Sequence, residues 1–392
     1  MDRIYLDHNA TTPLRAEARD AMLSAMDVAG NPSSVHAEGR AAKMLVERAR
    51  AQVADLVACK PTQVVFTGSA TEAAALAVAQ KGRHGGVFAA LPTEHDCLLD
   101  WSAAELPALF DAAGALDAAA ASLFCDRIMH DADGAHSTDR GPVALIAVSA
   151  ANSETGVMLP NRKVAANNHV NASRTGTVPY SVVCDITQMA GKVPVSHEGE
   201  ARPSYMILSA HKLGGPKGVG ALINFTADDP EPMLRGGGQE MGRRSGTENV
   251  IGIAGFGAAA EAANRDVMSG KWDRVEKLRN ILESALEASS NTTIFVGKDA
   301  PRLPNTSCFA TPGWKGETQV MQMDLAGFAI SAGSACSSGK VKASRVLKAM
   351  GLDEVASDAV RVSLGLETTE DDVLRFAAVW AQKLKKHEAR AA

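Results

Sequence analysis

YMILSAHKLGGPKGVGALI, residues 205–223, is an apolar run that delivers Ser209, His211 and Lys212 and then breaks into glycines. Short runs apolar on both faces suit the interior of a mostly parallel sheet covered by helices. Such a strand brings its last residues to the carboxyl edge, where open α/β sheets bind ligands. A lysine there is unusual, because lysine rarely stays buried without a partner. Desolvation lowers its pKa and makes the amine a better nucleophile. The glycines beyond it let the backbone turn close to a bulky ligand. A lysine snorkelling from a strand end is the plainer alternative.

Outward from this strand the same pattern repeats. VALIAVSA (143–150) and YSVVCDI (180–186) are short apolar runs between turn signals, and the run 64–66 breaks at Gly68. Leu45, Val46, Ala49, Val53, Leu56 and Val57 mark one face of a helix. Alternating runs and helices predict an α/β fold. The segment 225–249 is rich in Gly and Arg, and a long helical pattern follows through Trp272, Val275, Leu278 and Leu282. The last helix passes through Val373, Ala377, Trp380 and Leu384, and its KLKKHEAR end reads as solvated and frayed. A domain boundary is expected near residue 255.

Bulk composition bounds the function. The chain has 392 residues, 46% hydrophobic and 22% charged, as in an ordinary soluble globular protein of two or three domains. A net charge of −5 leaves no basic excess for nucleic acid. MDRIYLDHNATT has no apolar core of a signal peptide, and no apolar run approaches about 20 residues, so a cytoplasmic protein without a membrane span is expected. Six cysteines, at 59, 97, 125, 184, 308 and 336, form no CxxC pair and no zinc spacing. Most should be buried, reduced and inert.

Several residues gain meaning together. Asp185 ends an apolar strand run, as Lys212 nearly does. Pyridoxal phosphate would link them, through a lysine Schiff base and an aspartate that keeps the pyridine nitrogen protonated. Asp185 capping the next turn is the local alternative. TGSATE (67–72) is a strand, a glycine and a helix start, a geometry that binds phosphate. Ser69 and Glu72 in it also fit a capping box. His95 could stack on a ring or move protons, and Arg361 could clamp a carboxylate. A structural histidine and a surface ion pair are the alternatives. SAGSACSSGK (331–340) ends in Gly-Lys, but five residues separate Gly333 from Gly339 and Val341 follows Lys340. A phosphate loop needs four residues there and then Ser or Thr.

YLDHNATTP, the NPSS–H segment, TGSATE, TEHD, AANSETGV, CDITQMAGKVPV, SAHKLGGPKGVGAL, RRSGTEN, LPNTSC, SAGSACSSGK and VRVSLG occur in this order. Nearly the whole chain thereby resembles the pyridoxal-phosphate cysteine desulfurases of the NifS/IscS kind. The resemblance implies fold type I of the pyridoxal-phosphate transferases: a large domain (14–255) with a mostly parallel seven-stranded sheet, and a smaller α+β domain (1–13 and 256–392). It implies a homodimer that takes L-cysteine and passes sulfur to an acceptor such as an iron–sulfur scaffold protein.

By the same resemblance, Lys212 is the Schiff-base lysine, Asp185 the pyridinium partner and Gln188 the donor to the ring oxygen. His95 lies over the ring. Ala70, Thr71, Ser209 and His211 hold the phosphate, with Thr247 reaching from the second subunit. Asn152 and Arg361 hold the substrate, Arg361 by its carboxylate. Cys336 is the nucleophile that takes the sulfur. No metal is implied. The chain departs from the family pattern at Ala73, Ala74 and Ala75, where polar residues are usual, at Ser153, and in the lead-in NRKVAANNHVNASRTGTVPYS. A selenocysteine lyase or a class-V aminotransferase is the alternative within the fold; a transaminase has no need of Cys336.

Overall fold

The computed structural model describes residues 3–102, 144–158, 169–172, 176–195, 202–333 and 343–391. Cys336 and Cys125 lie outside the described residues. The strands, in chain order, are β1 Ile4–Tyr5, β2 Val64–Thr67, β3 Phe88–Ala90, β4 Leu145–Ser149, β5 His169–Ala172, β6 Gly176–Pro179, β7 Ser181–Asp185, β8 Tyr205–Ser209, β9 Gly220–Asn224, β10 Ile294–Phe295, β11 Thr306–Ala310, β12 Phe328–Ala329 and β13 Ala359–Ser363.

Among the described residues the central sheet has six strands in the order β2-β9-β8-β7-β4-β3. β3, β4, β7 and β8 pair in parallel, and β9 runs antiparallel to both its neighbours. The mostly parallel sheet expected from the sequence is present. Its strands read as unbroken apolar runs because both faces are covered. Phe66, Ile146, Val148, Val182, Met206 and Leu208 pack into one core, and their neighbours Val65, Ala147, Val183, Ile207 and Leu222 into another. Successive side chains leave opposite faces of a strand, so a strand buried on both sides cannot alternate apolar with polar.

Helices on the first face include α1, Ala16–Met26, and α2, Ala37–Leu56. On the other face lies α3, Ala70–Ala79, followed by the short α4, Asp96–Leu99. Ala73 and Ala74 of α3 are fully buried against the sheet. That is a physical reason for alanines at these two positions, where the family resemblance led one to expect polar residues.

The expected boundary at 255 falls inside a continuous helix, α5, Val250–Met268. Its Ile253, Phe256, Ala259, Ala260 and Ala263 pack in the large core with α2 residues Val46, Ala49 and Val53. The passage to the second core comes at Gly270, which has a left-handed backbone (φ 70°), before α6, Lys271–Glu287. That core joins α6 to the antiparallel sheet β10-β11-β13 and to α9, Glu370–Ala391; α7, Gly316–Asp324, and α8, Arg345–Ala349, belong to the same part of the chain. The arm at the N-terminus joins it too: β1 pairs with β12, and Leu6 is wholly buried there.

One local reading changes. The end of α9 is helical through Ala391, and the His387 ring stacks on buried Trp314 at 5.5 Å, so that turn is held by packing rather than frayed. Within the unusual lead-in before β7, β5 pairs antiparallel with β6.

Candidate active site

The carboxyl ends of β2, β3, β4, β7 and β8 meet at one edge of the sheet. Ser149, the last residue of β4, is in register with Asp185, the last of β7, which is in register with Ile207. A 3₁₀ turn, Ala210–Lys212, follows β8 and turns Lys212 across this edge. The result is a cavity of about 310 Å³. Ala70, Thr71, His95, Asp185, Gln188, Ser209, His211, Lys212 and Arg361 all line it. Residues scattered over almost 300 positions are therefore neighbours.

One wall is the start of α3. Ser69 caps it, accepting from the Glu72 amide at 3.1 Å, while Glu72 Oε2 accepts from Gly68 N at 2.7 Å rather than from the capping residue itself. The capping-box reading is thus met in a shifted form. This leaves the first-turn amides of Ala70 and Thr71 at the cavity wall, where a helix start attracts an anion. Gly220 of β9 makes this approach possible. A Cβ there would lie 2.5 Å from the Ser69 carbonyl carbon and 2.7 Å from Ala70 N. His211 contacts Thr11 Oγ1 through Nδ1 at 3.1 Å. Burial, then the charges of Lys212 and Lys217, push His211 down to about 4, so its imidazole is neutral at pH 7.

The floor is set by β7. Asp185 Oδ1 accepts from Thr187 N at 2.8 Å. Gln188 Nε2 donates to the Asn9 carbonyl at 2.9 Å. The arm reaches the cavity here: Lys212 Nζ donates to the carbonyls of Asn9 and Ala10 at 2.6 and 3.0 Å. Asn9 is itself wholly buried and tied to Thr306 Oγ1 at 2.9 Å and Asn305 Nδ2 at 3.1 Å. The motif YLDHNATTP pointed to the arm, but no sequence signal assigned Asn9 or Ala10 a place beside Lys212.

His95 caps α4 by accepting from Cys97 N through Nδ1 at 3.1 Å. Glu94 before it is buried and accepts from both the amide and the hydroxyl of Ser149. Burial pushes the Glu94 carboxyl up to about 7, against the hydrogen bonds from Ser149. Cys97 also lines the cavity, a thiol to which the sequence assigned no role of its own. Burial raises its pKa, as it does at Cys59, Cys184 and Cys308.

Arg361 enters from β13. Its Nη2 donates to Asp7 Oδ1 and its Nη1 to the Ser153 carbonyl. Its Nε is buried and has no hydrogen-bond partner among the described residues, as is true of Thr187 Oγ1.

Two expected residues lie elsewhere. Asn152 faces away, donating to the Thr93 carbonyl and accepting from the amides of Glu154 and Thr155, so it shapes the turn that presents Ala151 and Ser153. Thr247 lines a separate hollow with Thr67, Gly68 and Arg244.

The donor set suits pyridoxal phosphate: an amine, a carboxylate deep in the floor, a side-chain amide, and a helix start with Ser209 and His211 for a phosphate. The buried Arg361 Nε, unpartnered among the described residues, adds a cationic N–H that suits a carboxylate.

An aminotransferase class-V family model matches residues 4–376. The chain belongs to the class-V aminotransferase family. Within it, the chain is 37% identical to a cysteine desulfurase of Cereibacter sphaeroides, over 97% of this chain and 95% of that one. It is 40% identical to a cysteine desulfurase of Frankia sp. (strain EuIK1), over 97% of this chain and 90% of that protein. A solved NifS-like protein superposes with a TM-score of 0.81 at 29% identity, covering 98% of this chain and 99% of the other.

Proposed function

We propose that this chain is a pyridoxal-phosphate-dependent cysteine desulfurase, which takes sulfur from L-cysteine, releases L-alanine and holds the sulfur as a persulfide on Cys336. The observation that carries the reading is the meeting of Lys212, Asp185, His95 and Arg361 in one cavity at the sheet's carboxyl edge. Relatives named cysteine desulfurase cover nearly all of the chain.

Bound pyridoxal phosphate supplies an aldehyde for amines and a ring that accepts electrons from the substrate's α-carbon. Lys212 would hold it through that aldehyde, and Asp185 through the ring nitrogen. The amides of Ala70 and Thr71, with Ser209 and His211, would hold the phosphate, and Gln188 the ring oxygen. Arg361 would orient L-cysteine by its carboxylate. Once L-cysteine has replaced it, the Lys212 amine is free to take the α-proton, and the Asn9 and Ala10 carbonyls are placed to accept hydrogen bonds from the ammonium that results. His95, fixed through Nδ1 at the start of α4, would move a proton at the substrate sulfur. Cys336 would attack that sulfur as a thiolate. A thiol with a pKa of about 8.5 is a few per cent ionised at pH 7. Asn152 would act on substrate through the turn it holds.

The reading includes a homodimer, with Thr247 completing the partner subunit's phosphate site, and a sulfur-acceptor protein such as an iron–sulfur scaffold. It places the protein in the cytoplasm. Among the described residues no helix is long and apolar enough to cross a membrane.

The test is incubation of the yellow holoprotein with L-cysteine. L-alanine in a 1:1 ratio to sulfur and a persulfide mapped to Cys336 are expected, and borohydride should fix the cofactor to Lys212. A protein that takes up no pyridoxal phosphate, or makes alanine with no sulfur on Cys336, overturns the reading.

A further inference from the structure

Lys192 is a buried cation with no task in the chemistry above. It is 3% exposed, on the turn after β7 that also carries Gln188. Among the described residues no carboxylate lies within ion-pair distance of it. Its Nζ instead donates to two oxygens of one residue, the Gln188 backbone carbonyl at 2.8 Å and Gln188 Oε1 at 3.4 Å. The charged groups that act on it or feel it, Lys212, Arg361 and His8, are all basic. Burial first, and the charges of Lys212 and Arg361 next, push Lys192 down to about 7. A lysine in such a place is costly unless its donors are needed.

The two ends of the Gln188 side chain show the need. An amide can turn end for end, exchanging its oxygen and its NH2 with little change of shape. As an ammonium Lys192 has only donors, and as a neutral amine it still keeps two N–H groups for the two Gln188 oxygens, while the Asn9 carbonyl only accepts. Both partners therefore select the same orientation: Oε1 toward Lys192, Nε2 toward Asn9, whose oxygen also holds Lys212 Nζ. Gln188 lines the cavity beside Lys212.

We propose that Lys192 is a positioning residue that locks the Gln188 amide with its NH2 group toward the cofactor's ring oxygen. The proposal rests on the reading of the cavity as a pyridoxal-phosphate site. Without the Lys192 donor, the Gln188 amide can turn its oxygen inward and face an anionic ring oxygen with an acceptor. That disfavours the ionised ring oxygen, so the visible absorbance of the bound cofactor should titrate at higher pH.

The experiment titrates the visible spectrum of the holoprotein from pH 6 to 10 for wild type, Lys192→Met, Lys192→Gln, Gln188→Ala and the Gln188→Ala/Lys192→Met pair. Lys192→Met should raise the midpoint by about 0.5–1 unit, the size of one lost hydrogen bond. Lys192→Gln, a neutral side chain that can still donate, should restore most of it. In the Gln188→Ala background Lys192→Met should shift the midpoint little further, because the two residues act as one unit. An unmoved midpoint in Lys192→Met, or additive shifts in the pair, overturns the proposal; additivity would mean that Lys192 acts by its charge alone. These results are separable from a failure of the functional reading, since that failure appears as wild-type protein that binds no pyridoxal phosphate.

Discussion

Arg361 Nη2 donates to Asp7 Oδ1 at 2.7 Å, and Asp7 Oδ2 accepts from Ser331 Oγ at the same distance. Ser331 and Arg361 also exchange backbone hydrogen bonds. Asp7 on the N-terminal arm thus ties the expected substrate-carboxylate clamp to the residue from which the Cys336 segment departs. With Arg361 4% exposed, the pair is screened little by solvent. Asp7→Asn keeps the shape but loses a charge-assisted bond of about 1.5–3 kcal/mol. KM for L-cysteine should rise about tenfold or more while the cofactor's absorbance stays as in wild type. Steady-state kinetics on the holoprotein decide it, and an unchanged KM means that Asp7 does not orient Arg361.

Gly220→Ala should weaken cofactor binding. The new Cβ meets backbone atoms of Ser69 and Ala70, which have no rotamer to escape into, so the start of α3 must move. Overpacking of this kind costs about 1–3 kcal/mol, and affinity for pyridoxal phosphate should fall about fivefold or more. Gly238→Ala is the control, because its Cβ meets nothing within 4 Å. Titration of cofactor-free protein with pyridoxal phosphate reads both, and equal affinities would place the phosphate elsewhere.

Glu94 gives a pH signature. Its folded pKa of about 7 is above its ordinary value of 4.5. Its contribution to stability is therefore fully present below pH 4.5 and is lost as pH rises through about 7. Glu94→Gln keeps a carbonyl acceptor for Ser149 and cannot ionise. The substitution should be better tolerated at pH 8 than at pH 5. Urea midpoints of both proteins across that range test it, and a gap independent of pH would show that Glu94 does not titrate there.

Cys336→Ser should keep the yellow colour and the affinity for pyridoxal phosphate, since none of the cavity residues above is changed. Sulfide release from L-cysteine with a reductant should fall by at least a hundredfold. Wild-type sulfide production by this variant would remove Cys336 from the reaction and direct attention to Cys97, whose side chain lines the cavity.

Much of the fold was legible because burial on both faces leaves a plain mark. Strands β4, β7 and β8 are apolar at every step, with polar residues appearing where the strand ends. That mark located Asp185 and the turn bearing Lys212, and the ordered motifs supplied their family. The division between the cores was misplaced because α5 is built of small and apolar residues from Val250 through Ala260. A stretch with no exposed residue carries no amphipathic stripe to show which core owns it.

Local pattern could place Lys212 at a sheet edge, since strand ends are set by residues a few positions away. It could not place Asn9 and Ala10 against the Lys212 amine, turn Asn152 away from the cavity, or bring Gln188 against the Asn9 carbonyl. Those contacts join positions up to about 200 residues apart, through single carbonyls and amides. Every residue carries such groups, so nothing in its letter tells which will meet. Packing chooses the pairs: the arm must lie along β12 and β13 to bury Leu6, and only then do its carbonyls reach the lysine.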